Sequence, residues 1–166
     1  AANCPEESGM TAVGYFRPGE PLAKDSELPD LDCRENIDAM VHGFYQRLLN
    51  DPVMAPMFLA VAGIDLQQHL PIICQYWYKM LLGEQGYQRH MMAKHRALDD
   101  REPLTGEHHE RWLGHFMANL DGHFAGPMTD RAGLIAQRVM NNLYSQLSAR
   151  RASGSLEQGN DQVTHE

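Results

Sequence analysis

The segment spanning residues 66–95, LQQHLPIICQYWYKMLLGEQGYQRHMMAKH, constrains this chain more than any other. Leu66, Leu70, Ile73, Trp77 and Leu81 recur at helical spacing and define an apolar stripe. His69 lies on the shoulder of that stripe, near its start. The stripe stops at Gly83, which suits a left-handed helix cap. A second, shorter helical run over residues 88–97 carries His95 near its end. Two such helices folded back on one another can hold a flat apolar cofactor between two imidazoles. The spacing is equally compatible with two ordinary histidines in an all-helical core, and it does not choose between these.

The surrounding chain supplies further helices and no strand pattern, so the expected class is all-α. Asp32 and Glu35 have capping-box spacing ahead of a helix that runs to about Asn50, with Ile37, Val41, Phe44 and Leu48 inward and Tyr45 on the shoulder. Pro52 ends it. The link over residues 53–62 is apolar, which is unusual for a loop and predicts that something covers Phe58. Asp65 and Gln68 repeat the cap spacing before the central helix. Pro71 removes one backbone hydrogen bond from that helix and predicts a bend or a loosened first turn. Residues 99–106 read as a polar loop. Thr105 caps a helix to about Phe124, with His109, Trp112, Leu113, Phe116 and Leu120 on its inner face. A last helix starts at Thr129 or Asp130 and turns Ile135, Val139, Leu143 and Leu147 inward.

Residues 1–31, with Pro5, Pro18, Pro21 and Pro29, read as a flexible extension to which Val13, Tyr15 and Phe16 could add docking contacts. Residues 32–150 form the expected domain. Residues 151–166 are too polar to order themselves.

Charge and composition narrow the function. The chain has 166 residues and a net charge of -8, with 43% hydrophobic residues. An acidic balance argues against a nucleic-acid footprint and against an anionic membrane surface, and it favours a small or neutral partner. Cys4, Cys33 and Cys74 are odd in number and irregular in spacing, so free thiols and a reducing compartment are expected. No signal-like apolar region opens the sequence, and the expected location is the cytoplasm. Nine histidines invite a zinc site. However, His108 and His115 lack acidic or thiol partners at ligand spacing, and His-Glu-x-x-His is absent.

Five fragments in order carry a resemblance. Tyr76-Trp77-x-x-Met80-Leu81-Leu82-Gly83-Glu84 precedes Tyr87 and then Met92-x-x-His95-Arg96-Ala97-Leu98. Upstream stand Phe44-Tyr45 and Pro56-x-Phe58. Downstream stands Glu107-His108-x-x-Arg111-Trp112-Leu113. Over residues 32–148 the chain resembles the truncated globins, and more narrowly their third, bacterial group. It departs from them at His90-Met91, where the family often has Asn-Pro, at His109, where phenylalanine is usual, and in the length of the loop over residues 99–106.

The resemblance implies a shortened globin fold, two helices over two, around one haem b with five-coordinate iron. It implies that His95 is the proximal iron ligand; a backbone carbonyl or a carboxylate would then fix its tautomer, and the Met91 carbonyl, one helical turn earlier, is a candidate. It also makes His69 the distal-helix histidine and Tyr45 and Trp112 the polar distal residues. Phe58, Leu70, Ile73, Trp77 and Leu98 would be cofactor walls, and Lys94 and Arg96 would meet the propionates. The implied activity is binding of oxygen, nitric oxide, carbon monoxide or peroxide, with possible nitric oxide dioxygenase or peroxidase-like chemistry fed by a separate reductase, in a monomer. A cofactor-free helical interaction or sensor module is the alternative.

Overall fold

The computed structural model describes residues 28–88 and 91–160, with side chains described to residue 155. The expectations for Val13, Tyr15, Phe16 and His90 fall outside these residues. Within them the protein is helical, with no strand among the described residues. The elements are α1 (Arg34–Asn50), α2 (Met54–Val61), α3 (Leu66–Leu82), α4 (Met91–Arg101), α5 (Gly106–His123) and α6 (Pro127–Asn160).

Packing follows the apolar stripes. Ile37, Met40, Val41, Phe44 and Leu48 of α1 are buried, as helical periodicity predicts. α1 lies against both α3 and α5, α5 lies against α6, and the last turn of α3 touches α6. The result is the expected arrangement of one helix pair over another. Phe116 is the centre of the core. Its ring is stacked between Trp77 and Trp112, each at 5.3 Å, and meets Phe44 edge-on at 5.1 Å. α1 and α5 approach closely at Gly43, where a Cβ would stand 2.7 Å from Asn119 Oδ1. Buried Asn119 in turn donates to the Met40 carbonyl at 2.8 Å.

Several boundaries differ from the sequence-based expectation. The residue preceding α1 is Cys33, with no side-chain cap, instead of Asp32. The stretch after Pro52 is helical, because Asp51 accepts from the backbone N–H groups of Val53 (2.8 Å) and Met54 (3.2 Å) and starts α2. Both α2 and α3 widen into π-helical last turns, and glycines in left-handed conformation follow them, Gly63 at φ +60 and Gly83 at φ +72. The Gly83 cap was legible; the Gly63 one was not read. Pro71 sits inside the α-helical part of α3, and the irregular turn comes at Tyr78–Leu82, after it. α4 runs to Arg101, into the expected loop, because Asp99 is buried. α6 starts at Pro127 and continues to Asn160, past the expected limit of order at residue 151.

Two residues just ahead of the expected domain edge at residue 32 also make core contacts. Leu31 is fully buried. Asp30 caps α6 by accepting from the N–H groups of Met128 (3.1 Å) and Thr129 (2.7 Å), and from the Thr129 hydroxyl. Burial alone would raise the Asp30 carboxyl, but these donors hold it below its ordinary value. The cysteine expectation fails at Cys33, which is disulfide-bonded, while Cys74 is a free buried thiol. Among the described residues no single helix is long and apolar enough to cross a membrane; Met54–Val61 and Leu66–Leu82 reach that apolar content only as a pair bent by 114°.

Candidate functional site

Tyr45 comes from the last half of α1, Phe58 from α2 and His69 from the first turn of α3, and their side chains converge. The Tyr45 hydroxyl lies 2.8 Å from His69 Nε2. The Tyr45 ring meets Phe58 edge-on at 5.7 Å and His69 edge-on at 5.5 Å. Helical periodicity explains why Tyr45 can do this. It is buried beside Phe44 on the edge of the α1 stripe, so its ring is in the core while its hydroxyl leaves it.

The electrostatics assign the proton. Burial raises the Tyr45 phenol well above its ordinary value, with the Cys74 charge pushing the same way, so Tyr45 keeps its proton. Burial lowers His69 below its ordinary value, and the charges of Lys94 and His95 lower it further. A neutral imidazole therefore accepts at Nε2, Tyr45 donates, and the His69 proton sits on Nδ1.

His95 is half-buried, and its Nδ1 lies 2.8 Å from the Met91 carbonyl oxygen, one helical turn earlier. That contact fixes Nδ1 as the donor and leaves Nε2 with a lone pair and no hydrogen-bond partner among the described residues. Leu98 is half-buried on the same helix, while Lys94 and Arg96 are exposed on either side of the imidazole.

The remaining expected site residues divide. Ile73 and Phe58 are half-buried, as apolar walls with one open face would be. Trp112 is half-buried, with its ring stacked on Phe116 and edge-on to Phe44 at 4.8 Å. Its indole N–H has no partner among the described residues, and no buried polar side-chain atom there lacks one, so this N–H faces open space. Trp77 is 5% exposed and committed to the Phe116 stack, behind the other walls. Leu70 lines a different cleft of about 580 Å³ between α1, α3 and residues 84–87, which none of Tyr45, His69 and His95 touches. In that cleft Arg34 pairs with Glu84 and Tyr78 donates to Asp38, and burial pushes the Cys74 thiol up to about 12.

His109 is on the α5 face toward α6, stacked on Tyr144 at 5.0 Å with Nε2 2.9 Å from Asn141 Oδ1, so it packs two helices together. One cluster was missed from the sequence. Asp51 accepts from His115 Nε2 at 2.6 Å and from Arg111 Nη1 at 3.1 Å, besides the two backbone donors that begin α2. Asp51-Pro52 was a visible turn signal that could have placed a cap there.

The site residues thus include an imidazole with a free nitrogen, a second imidazole bonded to a hydroxyl, an indole N–H, and apolar side chains. This donor set fits an iron porphyrin, whose metal takes an imidazole and whose ring takes apolar contacts. No protein-family model matches the chain. A curated relative, the group 3 truncated hemoglobin ctb of Campylobacter jejuni, is 30% identical over 118 residues, which is 67% of this chain and 91% of the relative. The crystal structure of the group III truncated hemoglobin from Campylobacter jejuni superposes with a TM-score of 0.61 at 27% identity, covering 69% of this chain and 91% of that one.

Proposed function

The chain belongs to the group III truncated haemoglobins, and on that premise we propose that it holds one haem b through His95 and binds diatomic gases on the Tyr45 side. Haem, when bound, supplies an iron centre at which oxygen, nitric oxide, carbon monoxide or peroxide can bind and undergo redox chemistry. The observation that carries the proposal is His95 itself: Nδ1 engaged by the Met91 carbonyl and Nε2 without a partner among the described residues. Held this way, the imidazole is oriented and more basic at the free nitrogen.

The other residues take roles that their geometry supports. Phe58, Ile73 and Leu98 exclude water from the ring, with Trp77 behind them. Leu70, which lines the other cleft, is proposed as a wall beside Ile73. Tyr45 is a protonated donor whose hydroxyl, bonded to His69, would be available to a ligand carrying partial negative charge on that side. Trp112 offers a second N–H to the same place. His69, neutral and half-buried, lines the entry. Lys94 and Arg96, exposed beside His95, meet the propionates.

Nitric oxide dioxygenase or peroxidase-like turnover, a reductase that returns the iron to its ferrous state, a monomeric chain and a cytoplasmic setting belong to the proposal. The disulfide at Cys33 counts against the last, and cell fractionation decides it. The domain is proposed to span residues 32–150, extended at its two ends by the contacts of Asp30, Leu31 and Arg151.

Absorption spectra of the protein expressed with haem supplied test the proposal. The expected result is an intense visible band at one haem per chain that shifts on reduction and again with carbon monoxide. A purified, folded chain that takes up no haem would favour the cofactor-free helical module.

A further inference from the structure

The helix that carries His95 is secured differently from the others. α4 has no fully buried apolar side chain: Met91, Met92 and Leu98 are only half-buried, and the buried residue of the helix is a carboxylate, Asp99. An apolar stripe is what normally fixes a helix on its neighbours. Here the anchor is ionic. Asp99 follows His95 by four residues and so shares its face of the helix.

The Asp99 side chain is 1% exposed and pairs with Arg151. It also accepts the Leu104 N–H at 2.9 Å, while Arg151 Nη2 donates to the Leu104 carbonyl at 3.2 Å. Arg150 reaches Asp100 at 2.7 Å on the outer side, and α6 is the main packing partner of α4. Both arginines lie beyond Leu147, the last buried leucine of α6 among the residues whose side chains are described.

We propose that Arg151 is a positioning residue for His95: with Asp99 it clamps α4 to the far end of α6 and so sets where the imidazole stands. The proposal rests on the reading of His95 as the haem ligand. Its physical basis is the cost of an unpaired buried carboxylate, which is far greater than that of an exposed one. Without Arg151, α4 keeps half-buried apolar contacts and two exposed ones, Arg150 with Asp100 and Arg101 with the Val61 carbonyl, and opens locally more often. Arginine is required because its planar fork serves Asp99 and the Leu104 carbonyl together, which the point charge of lysine does not.

The test uses the haem-loaded full chain and compares wild type, Arg151→Ala, Arg151→Lys, His95→Ala and, as a control on the opposite face, Arg34→Ala, which breaks the exposed pair with Glu84. Two shortened chains, ending after residue 149 and after residue 152, are included. The readouts are the rate of haem transfer to excess apomyoglobin, the iron–imidazole stretching band, and amide hydrogen exchange by segment.

Arg151→Ala and the chain ending at 149 should lose haem about tenfold faster, as loss of a ligand-orienting contact does. They should also shift the band and exchange faster over residues 91–101 only. Arg151→Lys should fall between, and Arg34→Ala and the chain ending at 152 should match wild type. Wild-type haem loss and an unshifted band in Arg151→Ala, with haem lost in His95→Ala, would overturn the clamp and leave the ligand assignment standing. Haem retained in His95→Ala overturns both. If Arg151→Ala does not fold, Arg151→Lys decides, and exchange raised equally in every helix of that variant overturns the clamp.

Discussion

At the scale of single residues, the site turns on the hydrogen bond from Tyr45 to His69. The sequence placed Tyr45 on the edge of an apolar stripe and His69 on the edge of another, which is enough to put both near a cavity. It could not say that they bond to each other, because that depends on the angle between α1 and α3, and no local pattern encodes it. Burial, with the nearby charges, keeps both groups neutral, and the hydrogen bond ties the two side chains together. A hydrogen bond to a charged acceptor contributes about 1.5–3 kcal/mol, and every 1.4 kcal/mol is about tenfold in affinity. Tyr45→Phe should therefore speed oxygen dissociation roughly ten- to a hundredfold while carbon monoxide, which carries less charge, changes much less. Stopped-flow displacement reads both. Because Tyr45 and His69 are bonded, Tyr45→Phe and His69→Leu should be non-additive in a double-mutant cycle. Trp112, which meets Tyr45 only through Phe44, should couple more weakly. Oxygen off-rates equal in wild type and Tyr45→Phe would make the tyrosine a wall.

At the scale of elements, α1 and α5 hold the site in place, and two predictions belong to their contact. Gly43 faces buried Asn119, whose amide is already committed to the Met40 carbonyl, so an added methyl has nowhere to go. Gly43→Ala should destabilise the fold by about 1–3 kcal/mol through overpacking, against which the alanine helix preference of about 1 kcal/mol is a partial offset. Urea unfolding measures the balance, and a net gain would show that Asn119 can move aside. Asp51 joins the other end of α1 to α2 and α5. The hydrogen bond from His115 comes first among the causes that hold its carboxyl well below the usual range, with Val53, Arg111 and Met54 adding to it against burial. A lowered folded-state value means stabilisation that is complete above the unfolded value of about 3.9 and is lost as pH falls through the folded value. Wild type should thus lose thermal stability steeply below about pH 4, and Asp51→Asn should start lower and show a flatter acid limb. Parallel limbs for the two proteins would contradict this. The inward faces of α1 and α6 were legible because long amphipathic helices announce themselves by period. The limits of α4 were not, since its anchor is an ion pair between residues 52 apart in sequence, and a buried Asp99 looks like loop polarity when its partner is out of view.

At the scale of the whole molecule, the globin architecture was readable before any coordinates, because five short fragments in order identify a family where each alone would not. What that resemblance could not supply was the manner in which this chain closes its own ends: Asp30 and Leu31 tied under the start of α6, and Arg151 at its far end tied to the helix of His95. Both are long-range contacts of residues that look like tails. The central claim remains that one imidazole, oriented by its own helix, is the iron ligand. The most direct test is His95→Gly, purified with haem supplied and titrated with imidazole. The account predicts that the variant loses the wild-type spectrum and most of its haem, and that added imidazole, filling the vacated position, restores a wild-type-like ferrous carbon monoxide spectrum. Full haem content with an unchanged spectrum in His95→Gly, without imidazole, would contradict it.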